Sequence, residues 1–127
     1  MTPTILVAED EADLAATYER MLRRLGEPVT TASTLEQALE VIRSCPLRLV
    51  IADLRLPDGD GLDLVRAARH APGTPPVIVV TGYASEASRR QALDAGATEY
   101  VAKPFAIGWF SDLVRKLLGP AGDGPCA

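Results

Sequence analysis

Short unbroken apolar runs alternate along the chain with stretches in which apolar residues recur every three or four positions. Ile5-Leu6-Val7-Ala8, Leu49-Val50-Ile51-Ala52 and Val77-Ile78-Val79-Val80 are continuous and rich in β-branched residues. Such runs suit strands covered on both faces, which means a parallel sheet. Helical spacing fills the intervals. Leu14, Tyr18, Met21, Leu22 and Leu25 share one helical face, with Gly26 as a stop. Leu35, Ala38, Leu39 and Ile42 mark a second helix, and Ser33 with Glu36 has capping-box spacing before it. Leu62, Val65 and Ala68 mark a third, started by Asp60-Gly61. Ser85–Ala95 reads as a fourth with a thin face made mostly of alanine. Ile107, Phe110, Val114 and Leu117 predict the core face of a fifth, stopped by Gly119-Pro120.

Val29–Ala32 and Glu99–Val101 are weaker strand candidates that complete a strict strand–helix alternation. Right-handed crossovers then place helices on both faces of an α/β doubly wound sheet. No internal repeat is evident. One domain is expected over residues 1–119, and the Gly- and Pro-rich residues 120–127 read as an unstructured tail or the start of a linker.

Composition narrows the function classes. A chain of 127 residues supports one core and not two ordinary domains. The formal net charge of −4 argues against direct nucleic-acid binding, which needs a basic footprint. Cys45 and Cys126 are too few for a disulfide framework. Neither a leader pattern nor a long uncharged apolar run is seen, so the expectation is a cytoplasmic protein with no membrane partner.

The polar groups at the strand ends change the picture most. In a doubly wound sheet, ligands bind beyond the carboxyl ends of the strands. Glu9-Asp10 follow the first apolar run, Asp53 ends the third strand, Thr81-Gly82 end the fourth, and Lys103-Pro104 follow the fifth. A carboxylate closing a buried run is costly unless it is paired or bound to a cation. If the first and third strands are neighbours, about 4.8 Å apart, their acids converge. Converging carboxylates repel unless a cation or shared proton relieves them, and an all-oxygen cluster suits Mg²⁺. Asp10, Glu11 or Asp13 taken singly could do no more than cap the next helix. Compatible groups at four strand ends together favour chemistry. Two neighbouring motifs fail. Leu64 stands where a dinucleotide-binding glycine would, and Leu62 and Asp63 break the order of a calcium loop, so Pro57–Gly61 reads as a turn and helix start.

The segments ILVAEDE, LVIADLRLPDGDGLDLV, VIVVTGYAS and GATEYVAKPF, in this order, resemble the receiver domain of two-component response regulators, with its chemotaxis-regulator-like fold. The resemblance runs from about Thr4 to Leu118. It implies a flavodoxin-like five-stranded parallel sheet in order 2-1-3-4-5 with five helices on both faces. It also implies that Asp53 accepts a phosphoryl group from a histidine kinase or phosphotransfer protein. Glu9, Asp10 and Asp53, with the carbonyl of Arg55, would hold Mg²⁺, for which Mn²⁺ would substitute. Lys103 would pair with a phosphoryl oxygen, a task for a compact point charge in a chain with two lysines against eleven arginines. Thr81 would bond the phosphoryl group, Tyr100 would turn into the space it leaves, and Lys103-Pro104 would be cis. The fourth helix, fifth strand and fifth helix would form the surface for a dimer or output domain. Slow intrinsic autodephosphorylation would return the switch, at a rate set by Arg55 and Tyr83.

Glu9 departs from the family, which more often has Asp there. It leaves room for an alternative: a receiver-like interaction module that works without phosphate. A phosphatase of the haloacid-dehalogenase type needs a second Asp two residues after the first, where Arg55 stands. His70, the single histidine, reads as a solvated helix end, and Cys45 and Cys126 as plain residues. Trp109 and Leu113 fall beside the core stripe of the fifth helix, as its wider edge or as a partner surface.

Overall fold

The computed structural model describes residues 2–119. The apolar runs form β1 (Thr4–Ala8), β2 (Val29–Ala32), β3 (Leu47–Asp53), β6 (Val77–Thr81) and β7 (Glu99–Ala102), which pair in parallel in the order β2-β1-β3-β6-β7. This is the expected 2-1-3-4-5 order, because the two intervening strands lie outside the sheet. They are β4 (Arg55–Leu56) and β5 (Gly59–Asp60), an antiparallel hairpin of two residues per strand. The turn expected at Pro57–Gly61 is thus the tip and return strand of this hairpin, and α3 starts beyond it. The five helices are α1 (Ala12–Arg24), α2 (Leu35–Ser44), α3 (Leu62–Arg69), α4 (Glu86–Ala95) and α5 (Ile107–Leu118).

Strand alternation divides the interior in two. Ile5, Val7, Leu49, Ile51, Ile78 and Val80 point to one face, where Tyr18, Met21 and Leu22 of α1 and Phe110 and Val114 of α5 cover them. Leu6, Ala8, Val50, Ala52, Val77 and Val79 point to the other, under α2, α3 and Ala92 of α4. Phe105 stacks on Phe110 with centroids 4.6 Å apart, and Tyr18 packs against both rings at 6.1 and 5.5 Å. This aromatic group fixes the start of α5 beneath the loop that carries Lys103. The Lys103–Pro104 peptide is cis, as the family resemblance implied.

Two sequence expectations shift in detail. The cap of α2 is one residue later than Ser33 and Glu36: Thr34 Oγ1 accepts from Gln37 N at 3.1 Å, and Gln37 Oε1 accepts from Ser33 N at 2.9 Å. Gln37 thus reaches back to the N–H of the residue before the cap, so the start of α2 departs from the Ser33–Glu36 register by one residue. On α5, Ile107 is 42% exposed and leaves the core stripe, while Leu113 packs against the core. Position 107 opens the first turn, beyond the sheet edge. Trp109 is 54% exposed. His70 is exposed at the end of α3, as expected, and Cys45 is a half-buried free thiol. The tail expected at residues 120–127, with Cys126, lies outside the described residues.

The fourth helix is thinly anchored, as its alanines predicted. Ala92 is its one buried residue, Ser85 Oγ caps its start through Ser88 N at 3.0 Å, and Gly96 ends it in the left-handed region at φ 117°. Arg69 of α3 reaches across to the carbonyl of Ala95 at 3.2 Å, satisfying an otherwise free helix-end acceptor.

Candidate functional site

Parallel register brings the chemistry together. Ala8 of β1 pairs with Ala52 of β3, so the residues that follow, Glu9 and Asp53, emerge side by side at the sheet edge. Asp53 in turn pairs with Val80, and Thr81 with Ala102, which sets Thr81 and Lys103 beside them.

Glu9 and Asp53 are buried and Asp10 is exposed, yet each offers a carboxylate oxygen within 4.8 Å of the others. Lys103 Nζ lies between the two buried acids, 2.8 Å from Asp53 Oδ2 and 3.2 Å from Glu9 Oε1. The remaining oxygens are also held. Asp53 Oδ1 accepts from Arg55 N at 2.9 Å, and Glu9 Oε2 accepts from Glu11 N at 3.2 Å. Glu11 adds a longer ion pair to Lys103 at 3.8 Å.

Two acids and one ammonium in a partly dry pocket cannot all be ideally served. Burial pushes the Glu9 carboxyl up to about 7, against the bond from Glu11 N and the attraction of Lys103, and the neighbouring Asp53 charge adds to the rise. Burial pulls Lys103 down, but its bond to Asp53 and the charges of Asp53 and Glu9 more than offset that and hold it above the ordinary lysine value. Glu9, Asp10 and Asp53 thus gather three carboxyl groups around a single lysine. An oxygen-only set with one exposed and two buried carboxylates fits a hard divalent cation.

On the far side, Thr81 is buried and its Oγ1 accepts from Tyr83 N at 3.0 Å. The Arg55 guanidinium lies over the Tyr83 ring, 3.8 Å from its centroid. Together these residues border a cavity of about 470 Å³ that continues past Asp60 to Ser88 and Gln91 of α4. Tyr100 stands half-buried at the start of α4. Its hydroxyl donates to Ser88 Oγ at 2.9 Å and accepts from Ser85 N at 3.3 Å.

The structure thus gathers the residues expected at the site, Glu9, Asp10, Asp53, Arg55, Thr81, Tyr83 and Lys103, around one edge of the sheet, with Tyr100 bonded to the start of α4. Sequence reading missed Asp58. Its Oδ1 accepts from Leu35 N at 2.6 Å and its Oδ2 from Glu36 N at 3.0 Å, so it caps α2 from a distance. Those two bonds stabilise the ionised carboxylate and hold its pKa below the usual aspartate value. No local pattern announces a cap whose helix begins 23 residues upstream.

A family model for the response regulator receiver domain matches residues 5–115. Among curated proteins, the KDP operon transcriptional regulatory protein KdpE of Escherichia coli is 38% identical over 114 residues, covering 90% of this chain and 50% of that one. The chain spans a quarter to about half the length of the curated relatives it matches. Among solved structures, the receiver domain of sensor histidine kinase PA1611 from Pseudomonas aeruginosa, with a magnesium ion in its active-site cleft, has a TM-score of 0.81. It is 30% identical and covers 94% of this chain and 100% of that one. A response regulator from Burkholderia pseudomallei with a phosphorylated aspartic acid, calcium ion and citrate has a TM-score of 0.78. It is 29% identical and covers 91% of this chain and 72% of that one.

Proposed function

The chain belongs to the response regulator receiver domains, and from that premise we propose that residues 1–119 form a phosphorylation-dependent switch whose acceptor is Asp53. The partner is a histidine kinase or phosphotransfer protein. One Asp53 carboxylate oxygen attacks the phosphorus of a phosphohistidine, the P–N bond breaks, and the imidazole leaves as an acyl phosphate forms. The observation that carries this reading is the Lys103 ammonium held between Asp53 and Glu9. It places a fixed cation where phosphoryl charge would arrive, so little reorganisation is needed at transfer.

Glu9, Asp10 and Asp53, with the carbonyl of Arg55, would hold Mg²⁺, or Mn²⁺ in its place. When bound, that ion offsets the charge on the phosphoryl oxygens. Arg55 N keeps the Asp53 carboxylate oriented. Arg55 and Tyr83, stacked over the approach, set how readily water reaches the acyl phosphate and hence its lifetime.

The Thr81 hydroxyl proton can turn to a phosphoryl oxygen, drawing Thr81 towards Asp53. Tyr100 then moves into the vacated space, giving up Ser85 N and Ser88 Oγ. A thinly packed α4 loses a tether at its N-terminus, and the α4–β7–α5 face changes shape. That face, with Trp109 exposed beside it, would meet an output domain or a second copy, without nucleic acid or membrane binding by this domain. The expected setting is the cytoplasm.

The test is incubation with Mg²⁺ and acetyl phosphate, followed by intact mass. Wild type should gain one phosphoryl group and Asp53→Asn none. A wild-type protein that gains no mass would leave the phosphate-independent interaction module as the better reading, and an equal gain in Asp53→Asn would remove Asp53 as the acceptor.

A further inference from the structure

We infer that Asp58 is a positioning residue for the reaction at Asp53: it clips the β4–β5 hairpin to the first turn of α2 and so holds the Arg55 backbone against the acceptor. This rests on the switch reading above and deepens it.

The hairpin needs such a clip. Two-residue strands have no independent stability. Within it, Leu56 is buried while Arg55 and residues 57–60 are exposed, so little apolar packing holds it down. Yet it leaves directly from Asp53 and carries Arg55, whose N–H fixes Asp53 Oδ1 at 2.9 Å. The carbonyl of Arg55 is the backbone oxygen proposed for the metal. Looseness in the hairpin would therefore reach both the nucleophile's orientation and the metal shell.

Three features tie it in place. Gly61 N donates to Leu54 O at 2.9 Å, and a Cβ at Gly61 would run into the carbonyl of Asp53, so the chain leaving the hairpin for α3 lies flush on the acceptor's own backbone. A Cβ at Gly59 would come within 2.5 Å of Leu35 Cδ2, so the hairpin tip also sits closely on α2. Asp58 then spends both carboxylate oxygens on Leu35 N and Glu36 N. A capping side chain with two acceptors at a positive helix end suits this task. The α2 helix has its own cap in Thr34, so its start does not depend on Asp58 alone. Without Asp58 the helix keeps a cap of its own, whereas the hairpin loses both of its hydrogen bonds to α2.

Thr34→Ala provides the matched control, because it weakens the start of α2 and leaves the hairpin's bonds intact. Two quantities are measured on the full chain: the Mg²⁺ concentration giving half-maximal phosphorylation by acetyl phosphate, and amide exchange at Arg55, Gly61 and the first turn of α2. In Asp58→Ala, half-saturation should rise roughly tenfold, the scale seen when outer-shell support of a metal site is removed. Exchange at Arg55 and Gly61 should quicken. Thr34→Ala should quicken exchange in α2 and leave the other readouts at wild-type values. Asp58→Asn, which keeps one acceptor oxygen but loses the second bond to the start of α2, should shift the same readouts in the same direction and covers a failure of Asp58→Ala to fold. Asp58→Ala and Thr34→Ala behaving alike, or an Arg55 amide as protected in Asp58→Ala as in wild type, would overturn the assignment. A wild type that takes no phosphoryl group while Asp58→Ala still frees the Arg55 amide would sink the switch reading and leave the clip standing.

Discussion

Glu9 is the residue on which the site's electrostatics turn. Its side chain is almost fully buried, and that burial pushes its carboxyl up from 4.5 to about 7. The sign of its effect on stability follows. Below about 4.5 the group is protonated folded and unfolded alike, so it contributes no difference. Between 4.5 and about 7 the unfolded chain releases the proton and the folded chain keeps it, so folding stability falls as pH rises through that window. Metal-free protein should therefore lose denaturation free energy from pH 5 to 7 by an amount that Glu9→Gln largely removes, as urea unfolding at a series of pH values would read. An unchanged slope in Glu9→Gln would place the titration elsewhere. Tyr18 poses a second question at this scale. Its hydroxyl is buried without a hydrogen-bond partner, and burial, with the nearby acids, pushes its ionisation well up. Its ring contacts outweigh that orphaned hydroxyl, so Tyr18→Phe should be neutral or stabilising in the same assay.

Among the elements, α5 and α4 are opposites. Phe110 is fully buried in a three-ring group, whereas Trp109 next to it is half exposed. Phe110→Ala should cost about 3–5 kcal/mol of stability. Trp109→Ala should stay within about 0.5 kcal/mol, because its ring buries little in the isolated chain. Equal losses would mean that Trp109 is packed. Helix α4 buries Ala92 alone and relies on polar ties: Tyr100 and Ser85 at its start, Arg69 at its end. Tyr100→Phe removes two of those bonds, so amides 86–90 should exchange faster while those of α1 hold their wild-type rates. Of these features, the thin α4 was legible from its alanines and the α5 stripe from its period. Ile107 misled because periodicity says which way a residue points and not whether the partner layer extends that far. Ser88 and Arg69 were illegible, since their partners lie on other elements.

For the whole molecule, the site is a product of parallel pairing. Glu9 and Asp53 are 44 positions apart and Lys103 a further 50, and sheet register alone makes them neighbours. A ligand that binds this arrangement stabilises the entire fold by mass action. Mg²⁺ at about one hundred times its dissociation constant should add roughly 2.7 kcal/mol to unfolding. That gain should vanish in Asp10→Ala, whose exposed carboxylate contributes to the cluster but little to the core. A full Mg²⁺ shift in Asp10→Ala would remove Asp10 from the ligand set.

The division between chain and fold follows from range. Apolar runs and helical spacing are local properties, so the residue pattern was enough to give the five sheet strands, the five helices and the acids, threonine and lysine at the strand ends. Family resemblance carried the strand order and supplied the roles proposed for these residues. What depends on distant backbone came with folding: Lys103 shared between two acids, the upward push on the Glu9 carboxyl, Arg55 stacked on Tyr83, and the hairpin with its Asp58 bonds to α2. Burial and cross-element hydrogen bonds create these properties. They exist once the strands have paired, because no short segment holds both partners.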